Sequence, residues 1–130
     1  MNQATYFWIY ILECENGHYY TGYTKDLTKR YQQHLAGKSK YTRSFKPKLI
    51  AQCWKLYDSI GTALKIEQFI KKQTRTTKIL LIEQPLELQN KIVKLLKLEL
   101  NIFPLNSEEL IKINLNVKKA AFTKKTAFSH

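Results

Sequence analysis

A small α+β domain is the fold this sequence predicts: a three-stranded antiparallel sheet flanked by helices, in the order β-β-α-β-α-α, with a helical C-terminal extension. Three observations carry that reading. Two short runs rich in Tyr, Phe, Trp, Ile and Thr flank the turn chemistry of Glu15-Asn16-Gly17. The segments that follow switch to helical spacing, each opened by a capping residue. A chain of 130 residues, 44% hydrophobic and 12% aromatic, can bury the core such a layer needs.

The hairpin takes Tyr6 to Glu13 as one strand and His18 to Thr24 as the next. Thr24 or Asp26 then caps a helix from about Leu27 to Ala36, and Gly37 stops it. A basic loop, Lys38 to Pro47, leads to a third strand near Leu49 to Tyr57. Ser59 caps a second helix that runs to about Gln73, and Thr76 to Glu83 forms a third that Pro85 ends. Beyond it, Leu88, Ile92, Leu95 and Leu96 recur at helical spacing, Pro104 breaks the run, and Ser107-Glu108-Glu109 opens a further short helix. From Val117 the words KKAAF and KKTAF repeat, as a basic flexible tail would. The expected division is therefore 1–84, 85–116 and 117–130.

Charge narrows the function. Twenty-two Lys+Arg against ten Asp+Glu leave a net +12, which favours a polyanionic partner, nucleic acid first among them. Residues 25–48 concentrate the excess in Lys25, Lys29, Arg30, Lys38, Lys40, Arg43, Lys46 and Lys48 against the single acid Asp26. Lys71, Lys72 and Arg75 extend the same character along the second helix. Tyr41 and Phe45 lie within the basic loop, where they either stack on an exposed base or anchor the loop to the core. The longest apolar stretch, Ala4 to Leu12, is far shorter than the roughly 20 residues a membrane helix requires. Neither a signal-peptide layout nor a CxxC spacing is present, and Cys14 and Cys53 form at most one bridge. A cytoplasmic protein with no membrane partner is the expectation.

Two helices place polar groups where apolar ones belong. On the first, Leu27, Tyr31 and Leu35 mark a buried stripe, with Arg30 and His34 on its edge. They read either as a snorkelling arginine beside a satisfied interfacial histidine or as members of a site. On the second, Ile60, Ala63, Leu64 and Ile70 form the stripe, and Glu67 completes its spacing. A carboxylate there needs a cation, so Glu67 is either bridged to Arg30 or a metal ligand.

Trp8-Ile9-Tyr10, Tyr20-Thr21-Gly22, Arg30, His34 and Glu67, in that order and spacing, resemble the GIY-YIG nucleases. Tyr-Tyr-Thr-Gly-Tyr-Thr at 19–24, Tyr-Thr-Arg-Ser at 41–44 and Glu-Gln-Phe-Ile-Lys-Lys at 67–72 are similar to the small stand-alone bacterial branch of that family, the UPF0213 or YhbQ-like proteins. The resemblance covers about residues 5–84. It implies a metal-dependent endonuclease that hydrolyses DNA phosphodiester bonds, with structured or damaged DNA as candidate substrates and RNA as a second candidate. It assigns Tyr10 and Tyr20 to the two motif tyrosines, one of which helps to activate the attacking water. Arg30 takes the arginine that contacts the phosphate, His34 a helix residue beside it, and Glu67 the only protein ligand of one Mg²⁺ or Mn²⁺. Lys25, Lys29, Lys38, Lys40, Arg43, Lys46, Lys48, Lys71 and Lys72 then serve as phosphate contacts.

That assignment needs Tyr10 and Tyr20 on one sheet face. A two-residue Asn16-Gly17 loop would put them on opposite faces, whereas a three-residue loop with Gly17 left-handed puts them together. The three-residue loop is the expectation. Departures from the family pattern are Trp8 for the first motif's glycine, Thr21 for the second motif's isoleucine, and the lack of an asparagine 10–20 residues after Glu67, the nearest being Asn90. Trp8 and the missing asparagine support an alternative: a nucleic-acid-binding module of the same fold that cuts poorly or not at all. Residues 85–116 are a further candidate as a docking segment for a protein partner.

Overall fold

The structure, a computed structural model, describes residues 6–40, 45–97 and 100–116. Arg43 and Tyr41 of the basic loop, and the repeat from Val117, lie outside the described residues.

Strands β1 (Phe7–Cys14) and β2 (Tyr19–Thr24) form the hairpin. Its loop has three residues: Gly17 N–H donates to Cys14 C=O and Cys14 N–H to His18 C=O, each at 2.9 Å. Gly17 sits at φ +82, where any other residue would be strained. The register follows, with Tyr10 opposite Gly22 and Leu12 opposite Tyr20. Tyr10 and Tyr20 therefore share a face, as the three-residue loop requires.

Helix α1 (Leu27–Leu35) begins at Asp26, whose carboxylate accepts from Lys29 N–H at 3.1 Å, and Gly37 follows it at φ +71. Strand β3 (Pro47–Leu56) returns antiparallel to β1. It carries extra residues at Ala51 and Lys48, where the register against β1 shifts. The Ala51 bulge lets Ile50 and Cys53, an odd number of residues apart, point into the same core. Helices α2 (Ile60–Lys71) and α3 (Arg75–Glu83) start at Ser59 and Thr74, and α4 (Glu87–Leu96) follows Pro85. Then come β4 (Ile102–Pro104) and α5 (107–116).

Among the described residues the sheet has four strands in the order β2-β1-β3-β4, not the three expected. The additional one pairs Ile102, Phe103 and Pro104 with Leu56, Lys55 and Trp54. Three residues ending in proline carry no alternation to read, and proline is tolerated at a sheet edge where its missing N–H faces outward. Farther along that edge, where β4 has ended, the Asn114 amide of α5 accepts from Ile50 N–H at 2.8 Å and donates to Ile50 C=O at 3.0 Å. A side chain thus takes a strand's place.

Both faces of the sheet are covered. Phe7, Ile9, Ile11, Trp54 and Leu56 pack beneath Ala63, Ile66 and Ile70 of α2, Leu81 of α3, and Leu88 and Ile92 of α4. Tyr10, Leu12, Ile50 and Cys53 pack on the other face with Leu27 and Tyr31 of α1, Leu105, and Leu110 and Ile113 of α5. The expected stripe of α2 is corrected in part. Ala63, Ile66, Glu67 and Ile70 are buried, whereas Ile60 and Leu64 face solvent, as does Leu95 on α4. Both cysteines are buried and free. Among the described residues no helix is long and apolar enough to cross a membrane.

Candidate active site

The site starts from a cross-strand pair. Tyr10, fully buried in the middle of the sheet, lies over Gly22 of the neighbouring strand. A Cβ at position 22 would come within 2.6 Å of the Tyr10 ring carbon that bears the hydroxyl. Glycine at 22 is therefore a packing requirement of the phenol above it.

Helix α1 crosses this face and adds His34 and Arg30. The imidazole Nε2 of His34, completely buried, is 2.9 Å from the Tyr10 hydroxyl. Its ring meets Tyr10 and Tyr20 edge-on, with centroids 5.8 and 5.1 Å apart. Burial, reinforced by the Arg30 charge, holds the His34 pKa down to about 4, so the imidazole is neutral at pH 7. Burial pushes the Tyr10 phenol well above its ordinary pKa, and a hydrogen bond from Arg30 opposes this only in part. Gln33, one turn along, steadies Arg30 by accepting from it at 3.1 Å. Tyr20, in contrast to Tyr10, is only half-buried.

Glu67 arrives from α2, which packs across β2 and β1. It is 7% exposed, and its carboxylate adds to the effects that hold the Tyr10 phenol protonated. Its cation is not Arg30, as one reading of the spacing had it, but Lys71, 3.0 Å away and one turn further along α2. Lys71 also lies 5.9 Å above the Tyr20 ring. Gln68 donates to Glu67 at 3.3 Å, and both contacts fall on Oε1. The donor chemistry fits one hard divalent cation: a single carboxylate, the rest of the shell left to water and phosphate oxygens. Among the described residues no group of three or more His, Cys, Asp or Glu forms a protein cage.

Tyr10, Tyr20, Arg30 and His34 are thus brought together from β1, β2 and α1, and Glu67 of α2 is linked to them through Lys71, which lies over the Tyr20 ring. The basic residues are less concentrated. Lys25, Lys29, Lys38, Lys40, Lys46, Lys48, Lys71 and Lys72 are all exposed, but of these only Lys71 touches the cluster. Phe45 stacks at a tilt on His18, 5.5 Å between centroids, and so anchors its end of the loop. Trp8 leaves the sheet on the Tyr10 side and meets Tyr6 edge-on. Asn90 is exposed on α4, where it donates to Glu87. Sequence reasoning missed the Lys71 partnership, although Glu67 and Lys71 show the i, i+4 spacing of a helical ion pair.

The profile of the GIY-YIG catalytic domain matches residues 6–79. A UPF0213 protein from Syntrophus aciditrophicus is 42% identical over 79 residues, which is 59% of this chain and 90% of that protein. Another, from Cupriavidus pinatubonensis, is 40% identical over 90 residues, 65% of this chain and 98% of that one. The solution structure of a UPF0213 protein from Bacillus halodurans, 34% identical, covers 68% of this chain and 97% of its own with a TM-score of 0.39. With the motif tyrosines, arginine, histidine and glutamate assembled as described, the chain belongs to the GIY-YIG nuclease superfamily, in its UPF0213 branch.

Proposed function

We propose that this chain is a divalent-metal-dependent endonuclease that hydrolyses phosphodiester bonds in DNA, with structured or damaged DNA as its substrate. The observation that supports it most is the cluster of Tyr10, Tyr20, Arg30 and His34 on one face of the hairpin, with the Glu67–Lys71 pair at its edge over Tyr20. On this reading Glu67 would hold one Mg²⁺ or Mn²⁺, which would supply neutralisation of charge on the phosphate. Arg30 donates to a non-bridging phosphate oxygen and stabilises the charge that builds there during in-line attack. Tyr20 is the phenol that water can reach, so it orients the attacking water and accepts its proton. General-base help of this kind is worth about 10²–10⁴-fold. Tyr10 keeps its own proton, because burial opposes the phenolate, and acts as a positioning residue. Its bond to neutral His34 fixes the imidazole between the two tyrosine rings. Lys71 balances Glu67 at 3.0 Å and is placed to contact a phosphate.

A second reading, a binding module that cuts poorly, draws on the same ion pair, since Lys71 competes with metal for Glu67. One assay separates them: cleavage of labelled single-stranded, duplex and branched DNA with Mg²⁺ or Mn²⁺, RNA serving as competitor. Wild-type cutting that Glu67→Gln and Tyr20→Phe abolish while binding persists is the expected result. Binding by every variant with no cutting on any substrate overturns the nuclease and leaves the module.

A further inference from the structure

Next to the candidate site, on the same face of the sheet, lies a cluster that the nuclease reading leaves unused. Trp8 precedes Tyr10 by two residues on β1, so the two side chains point the same way, about 7 Å apart along the strand. Directly across β3 from Trp8 is Lys55, and across β4 from Lys55 is Phe103. Tyr6 and Tyr57, each two residues on from this row, share the face. The Lys55 ammonium stands 4.2 Å from the Tyr6 ring centroid, 5.4 Å from Trp8 and 5.3 Å from Tyr57. The rings brace one another: Tyr6 meets Trp8 at 6.1 Å and Tyr57 at 5.8 Å, and Tyr57 meets Phe103 at 6.3 Å.

Despite these contacts the cluster is open to water. Tyr6 is 38% exposed, Tyr57 37% and Phe103 54%. Helices α1 and α5 cover the rows that hold Tyr10, Leu12 and Ile50 but leave this end bare. Three aromatic rings around one cation, with Phe103 against the third, form a contiguous patch of the kind that marks a binding surface. A lysine at its centre is unfavourable for an apolar protein partner and favourable for a polyanion that also presents flat rings. The acid next to Tyr57, Asp58, is engaged elsewhere, accepting from Ser59 N–H at 2.7 Å.

We propose that Tyr6, Trp8, Tyr57 and Phe103, arranged around Lys55, form a stacking platform for unpaired nucleobases of a strand whose phosphate lies at the Tyr20–Arg30 site. The proposal rests on the nuclease reading and adds a substrate class to it: DNA with a single-stranded segment beside the bond to be cut. Unpaired bases offer faces to aromatic side chains, whereas a duplex offers only its grooves and phosphates, so the platform discriminates between them. Lys55 keeps the rings upright and adds one phosphate contact.

The test is binding by the full chain without metal, so that no cleavage intervenes. Fluorescence anisotropy is read on labelled oligothymidine and on a labelled closed hairpin duplex. Trp8→Ala and Tyr57→Ala are each expected to weaken oligothymidine binding by about tenfold or more. Both should leave hairpin binding within about twofold, and Trp8→Phe should retain most of the oligothymidine affinity. Should Trp8→Ala fail to fold, Phe103→Ser, at an exposed edge position, carries the same expectation. Equal losses on both probes, or no loss on either, overturn the platform. So does sedimentation that shows a dimer which Phe103→Ser dissociates without loss of oligothymidine affinity, because the patch is then a contact between copies. A wild-type chain that stacks bases but cuts no DNA when Mg²⁺ is added refutes the nuclease and spares the platform.

Discussion

Gly22→Ala is the perturbation that tests the site's construction most directly. The added methyl group would lie 2.6 Å from Cζ of Tyr10 and 3.2 Å from Cε1, whereas real contacts of that kind lie beyond about 3.4 Å. Relief would have to come from Tyr10, yet its ring is fully buried on the central strand and tied to His34 at 2.9 Å. Overpacking in such a place costs about 1–3 kcal/mol. For a chain of this size that lowers Tm by roughly 3–5 °C per kcal/mol. Because the phenol is what moves, the loss falls on the Tyr10–His34 bond as well, and DNA cleavage is expected to drop at least tenfold. Thermal denaturation and single-turnover cleavage read the two effects separately. Tyr10→Phe removes the atom nearest the new methyl group, so the double variant should be less destabilised than the sum of the single changes. Wild-type stability together with wild-type activity in Gly22→Ala would refute the claim that Tyr10 needs glycine opposite it.

Other expectations follow from single side chains. His34 titrates at about 4 in the fold against 6.5 in the unfolded chain, so the unfolded chain binds the extra proton between those values. Stability is therefore flat above about pH 6.5 and falls by up to about 3 kcal/mol as pH drops to 4, a slope that urea denaturation should show for wild type and not for His34→Gln. The Thr21 hydroxyl is buried without a hydrogen-bond partner, so Thr21→Val should stabilise the fold by about 1 kcal/mol, measured as a raised urea midpoint at constant m-value. Asn114→Ala leaves both polar groups of Ile50 without their partner and should cost about 1–3 kcal/mol in the same measurement. Lys71→Met removes the cation beside Glu67 and should lower the Mg²⁺ concentration that gives half-maximal cleavage, while weakening DNA binding modestly.

What the sequence disclosed follows from how local each feature is. The hairpin was legible to its register, because Asn16-Gly17 and the parity of two tyrosines admit only two pairings and one of them splits the motif. The helix starts were legible for the same reason, since Asp26 and Ser59 act on N–H groups three residues away. Glu67 stood out as a carboxylate in an apolar stripe, and it is buried. Its neighbours in that stripe were misjudged: Ile66, not Leu64, goes inward, because the orientation of α2 is set by the sheet it packs on. The fourth strand was illegible, since three residues gain strand conformation only from Trp54–Leu56, some fifty positions earlier. Burial of His34 beyond that of Leu35 was likewise a property of what lies beneath α1: two tyrosine rings rather than aliphatic packing.

The lateness of β4 has a consequence for synthesis. Until residues 102–104 have left the ribosome, the backbone groups of Trp54–Leu56 on the outer side of β3 have no partner. The family match already ends at residue 79, so a nascent chain can hold every motif side chain and still present a bare hydrophobic strand. Such an edge accepts a strand from a neighbouring nascent chain as readily as from its own C-terminal third. The short, proline-ended strand that closes the sheet is thus a late seal against cross-pairing on polysomes, and slowing translation between residues 80 and 105 should increase aggregation of newly made chains without altering the finished protein.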